Sequence, residues 1–380
     1  MRVVVCGAGI AGLTLANTLD AEVVVLERSP APRTQGYMID FFGTGYDAVE
    51  AMGLLPAVED VAYHVREALL LDEQGRKRGS IVYTQIEQAV HGRLLSIMRP
   101  DLERALRGDV DVRFGTTLTG VDQDADGVRV TLSTGEVIEA DLLVGADGIH
   151  SAVRELVFGG GFLRYLGFHT AAFQFDAPEI HERVRDTFCL TDTVGRQMGF
   201  YALRNGRVAA FAVHRTPDPT LPADIPAAVR DTYGDLGWVV PQALAQLPPA
   251  EDIYYDQVAQ IQMPTWSKGR VVLVGDSCYA VSLLAGQGAS LGIAGAYLLA
   301  HELAKRPVPE ALAEYERQWR PVAAEKQRVG RSGARWFLPA SPLQLRIRRA
   351  ALRAGRLPVV NKYVAGVLVG KSTGLIANLG

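Results

Sequence analysis

The sequence predicts a mixed α/β fold, α+β in its middle part: a parallel-sheet domain, a β-sheet domain inserted into it, and helices at the C-terminal end. Three observations predict it. Near the start, a strand Arg2-Val3-Val4-Val5-Cys6 runs into Gly7-x-Gly9-x-x-Gly12 and a helix, and a second strand ends at Glu27. Far along the chain, a second apolar strand, Val271-Val272-Leu273-Val274, ends in Gly275-Asp276 and leads to a glycine turn, Gly286-Gln287-Gly288, before a long helix. Between them, residues 168–215 carry alternating strands and an Asn205-Gly206 hairpin signal. The first stretch is a βαβ unit, Rossmann-like in its spacing.

Each residue of the opening stretch has a physical task. Gly7 permits the tight turn, Gly9 lets a pyrophosphate approach the backbone, and Gly12 lets helix pack on strand. Ala11 lies in the first helical turn, whose free N–H groups face the phosphates. Glu27 follows Gly7 at the distance expected of the acid that accepts hydrogen bonds from a ribose, with Arg28 beside it. A nicotinamide-only domain completes its site within one stretch of sequence. A site with a second part at Asp276 predicts a long cofactor held at both ends, read here as FAD.

Bulk properties bound the rest. The chain has 380 residues, 48% hydrophobic and 21% charged, as in ordinary globular proteins. A net charge of −3 argues against nucleic acid as a partner. Cys6, Cys189 and Cys278 show neither metal-ligand spacing nor a disulfide framework, and no segment reads as a membrane span or signal peptide. These features predict a cytoplasmic protein without a metal. From Lys326 onward there are eleven Lys or Arg and no acid. That basic, apolar segment reads as helices docked on the acidic remainder, or as a weak contact with an anionic membrane surface.

Along the chain, residues 28–45 read as a loop, and 67–72 and 80–84 as strands. Arg99-Pro100 opens a helix, and short β segments follow between 111 and 139. A strand Leu142-Leu143-Val144 ends in Gly145-Ala146-Asp147-Gly148 ahead of a helix with Ser151 and Arg154. Asp147 reads as that helix's N-cap as well as a cofactor residue. Counting outward from Asn205-Gly206 pairs Phe200 with Phe211 and Met198 with Val213 on one face. Either core burial or a ligand cavity accounts for a sheet apolar on both faces. Residues 224–247 read as helical, 253–263 as a strand, and 289–305 and 309–328 as helices.

These motifs resemble the single-component (class A) FAD-dependent aromatic monooxygenases, over about residues 1–330. The stretch Gly36-Tyr37-Met38-Ile39-Asp40 and the C-terminal helices are most similar to the tetracycline-inactivating and antibiotic-tailoring flavin monooxygenases. The resemblance implies an FAD-binding domain over 1–65, 99–165 and 264–306, a substrate domain over 66–98 and 166–263, and C-terminal helices over 307–380. It implies that Glu27 holds the adenosine ribose, Arg99 reaches the riboflavin side and Asp276 accepts from the ribityl chain. Asp147, Gly148 and Arg154 would support the pyrophosphate and NAD(P)H use. Gly286, Gly288 and Ala289, at a helix N-terminus, would stabilise negative charge on the reduced ring.

The implied reaction reduces tightly, non-covalently bound FAD with NADH or NADPH. It then captures O₂ as a flavin C4a-hydroperoxide, to hydroxylate or epoxidise an aromatic or polycyclic small molecule such as a polyketide or antibiotic. No Ser–His–Asp or paired-carboxylate signature is expected, because the flavin carries the chemistry. Cys278 reads as a small buried thiol rather than a flavin attachment point. Gln174, Phe200, Tyr201, Phe211 and Leu283 are the expected substrate-lining residues, and Arg204 and His214 are polar neighbours on the same sheet.

Two positions depart from the family pattern: Tyr279 replaces a histidine, and Leu283 a proline before the glycine turn. They keep open a flavin oxidoreductase without oxygen insertion. A flavin-dependent halogenase is a further alternative, through Gly237-Trp238-Val239-Val240-Pro241, which lacks that group's second Trp and its Ile. A non-enzymatic binding protein would have no use for the two-part nucleotide site.

Overall fold

In the parallel layer, Val3, Val4, Val5, Leu142, Leu143 and Val272 have no exposed surface. Strands buried on both faces read as unbroken apolar runs, which is why these segments were legible. The computed structural model describes residues 1–354 except 91, 284 and 285, together with 374–376 and 379. The six-stranded sheet runs in the order Ser267–Lys268, Val271–Leu273, Leu142–Gly145, Arg2–Cys6, Glu22–Glu27 and Val112–Phe114. All neighbours are parallel except the first pair. Helices Ile10–Thr18 and Gly288–Lys305 pack together beside this sheet, and a three-stranded antiparallel sheet of residues 118–140 shares its core.

A seven-stranded, mostly antiparallel sheet forms the second layer: Tyr254–Ile261, Leu163–Phe175, Val208–Arg215, Arg196–Ala202, Thr187–Thr191, Glu67–Leu71 and Lys77–Val82. Helices Ile225–Tyr233 and Val240–Ala245 cover one face through Phe173, Phe175, Phe200 and Tyr233. The stretch expected as one helix over 224–247 is thus two, interrupted at Gly234–Val239, where Trp238 takes a positive φ and Gly237 packs against Glu73.

The hairpin register differs from the expected one by a single residue. Leu203 and Arg207 close a three-residue loop, with Gly206 at φ 83. Tyr201 therefore pairs with Ala209, Phe200 with Ala210 and Gly199 with Phe211. A one-residue slip sends alternate side chains to opposite faces. Phe200 joins the helix-covered core, while Phe211 and Tyr201 lie on the other face. Phe200 is a core residue here and does not line the substrate face.

Two further expectations are corrected. The 28–45 loop contains a strand, Met38–Phe42, which exists because Leu94–Met98 pairs with it. The strand expected at 80–84 is Lys77–Val82, and Tyr83 opens a helix. At the C-terminal end, helix Val308–Phe337 buries Tyr315 and Trp319 against the parallel layer. Helix Pro342–Ala354 follows, and its Arg348 and Arg349 both pair with the buried Asp192, Arg348 at 2.6 Å. Part of the basic segment is therefore docked on the sheet domain. Arg356, Lys362 and Lys371 lie outside the described residues. No described helix is long and apolar enough to cross a membrane.

Candidate active site

The tips of four parallel strands stand side by side, and the four sequence motifs follow from them. In spatial order these are Gly275-Asp276, Gly145 to Asp147, Gly7 to Gly9, and Glu27. Backbone hydrogen bonds continue past the strands, from Val274 N to Gly145 O, Ala146 N to Cys6 O and Gly7 N to Leu26 O. A Cβ on Gly275 would lie 2.8 Å from the Ala11 side chain. Segments distant in sequence are thus neighbours along one edge. Open α/β sheets bind ligands at this carboxyl edge.

The cradle is shaped by what is missing from it. Gly7 sits at φ 106, and a Cβ there would lie 2.5 Å from the Ala146 carbonyl oxygen. One on Gly12 would fall 2.0 Å from the Gly7 oxygen. Gly9 has open space, with only Glu103 Oε1 at 3.8 Å. A bare, open backbone at a helix N-terminus fits a pyrophosphate. Glu27 accepts from Ala8 N at 3.0 Å and Ser29 N at 2.9 Å, with Arg33 at 3.5 Å. Burial works to raise its carboxyl, but the Ser29 and Ala8 N–H groups and Arg33 outweigh it, so it stays ionised below the ordinary range. Arg28 is exposed just beyond it.

The Asp147 turn serves the frame. Asp147 is not the N-cap: Ser151 takes that place by accepting from Arg154 N at 2.9 Å. Asp147 accepts from Ser151 Oγ and Val153 N one turn on. Burial nonetheless pushes its carboxyl above the usual range. Gly148 at φ 79 makes the turn. The Arg154 guanidinium donates to Ser277 O at 2.8 Å and Ile149 O at 2.7 Å, tying this turn to the Asp276 segment.

At the opposite end, Asp276 opens a short buried helix, and a Cβ on Gly288 would lie 3.8 Å from its Oδ1. Asp276 itself is exposed; desolvation by the protein packed around it raises its carboxyl, and Arg99 opposes that. Arg99 bonds Glu103 at 3.1 Å; burial disfavours its charge, yet Glu103, Tyr37, Tyr254 and Asp276 together raise it further. Gly286 has a positive φ and open space where a side chain would stand, and Ala289 is half-buried in the first turn after Gly288.

Beside this cluster lies the other face of the seven-stranded sheet, where Gln174 and Phe211 are half-buried and Tyr201 and Ala209 are buried. Gln174, Ala209 and Tyr201 form one cross-strand row on it, and Ala172, Phe211 and Gly199 the next. Tyr37 lies 5.4 Å from Phe211 and 5.5 Å from Tyr254, ring centre to ring centre. Leu283 and Phe211 both pack against a buried cluster of Phe168, Val213, Val258 and Leu338. Tyr279, the other departure from the family pattern, packs into a buried group with Trp266 and Tyr315 and leaves the site to Leu283. His214 faces the helix-covered side and bonds Tyr233 at 3.0 Å, away from this face.

Sequence reasoning did not single out Tyr37, Tyr254, Arg33 or Glu103. Tyr37 follows Gly36, whose backbone packs against Pro100, and the pair Tyr254-Tyr255 at a strand start was a readable signal.

Comparison with known proteins agrees with this geometry. The family model described as an FAD binding domain matches residues 1–328. An uncharacterized Mycobacterium tuberculosis protein is 35% identical over 322 residues, covering 79% of this chain and 84% of its own. The FAD-dependent monooxygenase asL6 of Sarocladium schorii is 29% identical over 375 residues, 89% of this chain and 88% of its own. The solved structure of the tetracycline destructase Tet(55) superposes with a TM-score of 0.81 at 26% identity, over 96% of each chain. The chain belongs to the FAD-binding-domain family matched here, among the single-component flavin-dependent monooxygenases, and is an FAD-dependent enzyme of that kind.

Proposed function

We propose that the enzyme uses NAD(P)H and O₂ to hydroxylate or epoxidise an aromatic or polycyclic small molecule, a polyketide or antibiotic in class. The observation that carries this reading is that Leu283, from the turn before Gly286, and Phe211, from the substrate sheet, pack against one buried cluster of Phe168, Val213, Val258 and Leu338. An apolar aromatic wall beside a ring-binding turn suits a flat substrate and keeps water out. Bound FAD would supply the redox chemistry, taking electrons from NAD(P)H and activating O₂.

The chain's own residues then have distinct tasks. Glu27 and the Gly7–Gly12 backbone would hold the adenosine and pyrophosphate. Arg99, Asp276 and the Gly286–Ala289 helix start would hold the ribityl chain and ring. Phe211, Tyr201, Gln174 and Leu283 would orient the substrate, joined by Tyr37 and Tyr254. Asp147, Gly148 and Arg154 would act by fixing the central strand tip. The tetracycline destructase likeness supports a polycyclic substrate for this enzyme as well.

The test is NADPH consumption by the yellow, FAD-containing protein against a panel of polycyclic phenols. We expect faster anaerobic flavin reduction with substrate present, and in air a product heavier by one oxygen atom. Reduced flavin that persists in air would reject the reading in favour of an oxidoreductase, and a chlorinated product would favour a halogenase.

A further inference from the structure

We infer that a cleft at the hairpin end of the substrate sheet receives an oxyanion of the substrate, a carboxylate or ionised phenol distant from the ring that is oxidised. The inference rests on the substrate-sheet reading above and adds the chemical class of the substrate's far end. The cleft has a volume of about 310 Å³, with Met38, Tyr63, Tyr201 and Leu203 among its walls. That is the size of a small ligand site, enough for a ring or its substituent. It opens from the same sheet face as Phe211, since Tyr201 and Phe211 project from one side and share an apolar cluster.

Its ionic side chains are two arginines, Arg185 and Arg204, and one carboxylate, Asp186. Tyr201 accepts from Met38 N at 2.7 Å, which leaves its own O–H to donate. Arg204 lies 4.9 Å over the Tyr63 ring and donates to Ala62 O, so its guanidinium is held at the mouth. Among the described residues no carboxylate pairs with Arg204. The other charges around the cleft are already matched: Arg185 with Glu182, and Asp186 with Arg66. His181 Nε2 is engaged with Leu203 O at 2.9 Å. Arg204, stacked on an aromatic ring, has no carboxylate acceptor among the described residues, and Tyr201 lines the same cleft with an O–H free to donate; an anionic oxygen supplies the acceptor.

Equilibrium dialysis of the FAD-containing enzyme with a hydroxynaphthoate and with its methyl ester tests this. The acid should bind about tenfold more tightly than the ester, the worth of one charge-assisted hydrogen bond at a partly exposed site. Arg204→Gln should erase that preference, and Arg185→Gln, whose side chain is already paired, should keep it. Equal binding of acid and ester, no binding of either, or a preference that survives Arg204→Gln overturns the inference. A preference without NADPH-driven turnover of either probe would sink the oxygenase reading and leave the anion cleft standing. Turnover without preference would do the reverse.

Discussion

The nucleotide cradle and the substrate face adjoin, yet they are built by different means. Around Gly7, Gly9 and Gly12 the shape comes from backbone and absent side chains, and a single Cβ on Gly7 or Gly12 collides at 2.5 or 2.0 Å with a carbonyl oxygen. Around Phe211 it comes from side chains that a strand register sends to one side. The first kind of site fails all at once. The second degrades by degrees, and its position depends on one turn.

Substitution in the cradle should have the largest effect. Gly12→Val puts a branched side chain where even Cβ overlaps the Gly7 oxygen. The purified protein should lack flavin absorbance and, being overpacked in its first βαβ unit, lose stability by roughly 1–3 kcal/mol or more. Full flavin content in this variant would contradict the pyrophosphate assignment.

Next comes the register. Phe200→Ala should cost about 3–5 kcal/mol of stability in denaturant unfolding, because it empties the helix-covered core. Phe211→Ala should cost less and instead raise KM for the substrate. If KM rises in the Phe200 variant and not in the Phe211 variant, the faces have been assigned the wrong way round.

A third prediction sharpens the contrast by pH. On the helix-covered side, His214 lies beside His169, Tyr233 and Tyr255. Burial, then His169, lowers it from 6.5 to about 4. The unfolded chain therefore binds more protons between those values. Stability contributed there is complete above pH 6.5 and declines toward pH 4, by at most about 3 kcal/mol. His214→Phe should flatten this dependence in thermal melts recorded across that range. At the cofactor end Glu27 is shifted in the same direction, and its depressed carboxyl keeps its bonds until still lower pH.

The smallest effect is expected at Glu27 itself. Glu27→Gln keeps an acceptor for one of the Ala8 and Ser29 N–H groups but loses the charge. FAD should bind about tenfold more weakly, near 1.4 kcal/mol, in dialysis against free cofactor. Unchanged affinity would move the ribose away from Glu27.

This division also explains what could be read without coordinates. The apolar strands 2–6, 22–27 and 142–145 and their glycine turns carry their geometry locally, so the parallel sheet was legible. Asn205-Gly206 announced a hairpin correctly, but the loop takes three residues, and that one extra position put Gly199 in place of Phe200 opposite Phe211 and brought Tyr201 to the same face. Met38–Phe42 is a strand only because Leu94–Met98 comes to it from elsewhere. Tyr37 and Tyr254 meet Phe211 and Arg99 by tertiary contact, which no local pattern records. The Arg348 and Arg349 contacts with Asp192 likewise have no local signal.

The central claim is that one FAD spans the strand tips from Glu27 to Asp276 and ends beside Phe211. A crystal structure of the FAD complex tests it most directly. The account predicts the adenosine ribose on Glu27, the pyrophosphate over Gly9 and the flavin ring between the Gly286–Gly288 turn and Phe211. A ring lying on the helix-covered side of the seven-stranded sheet, or a ribose far from Glu27, would contradict it.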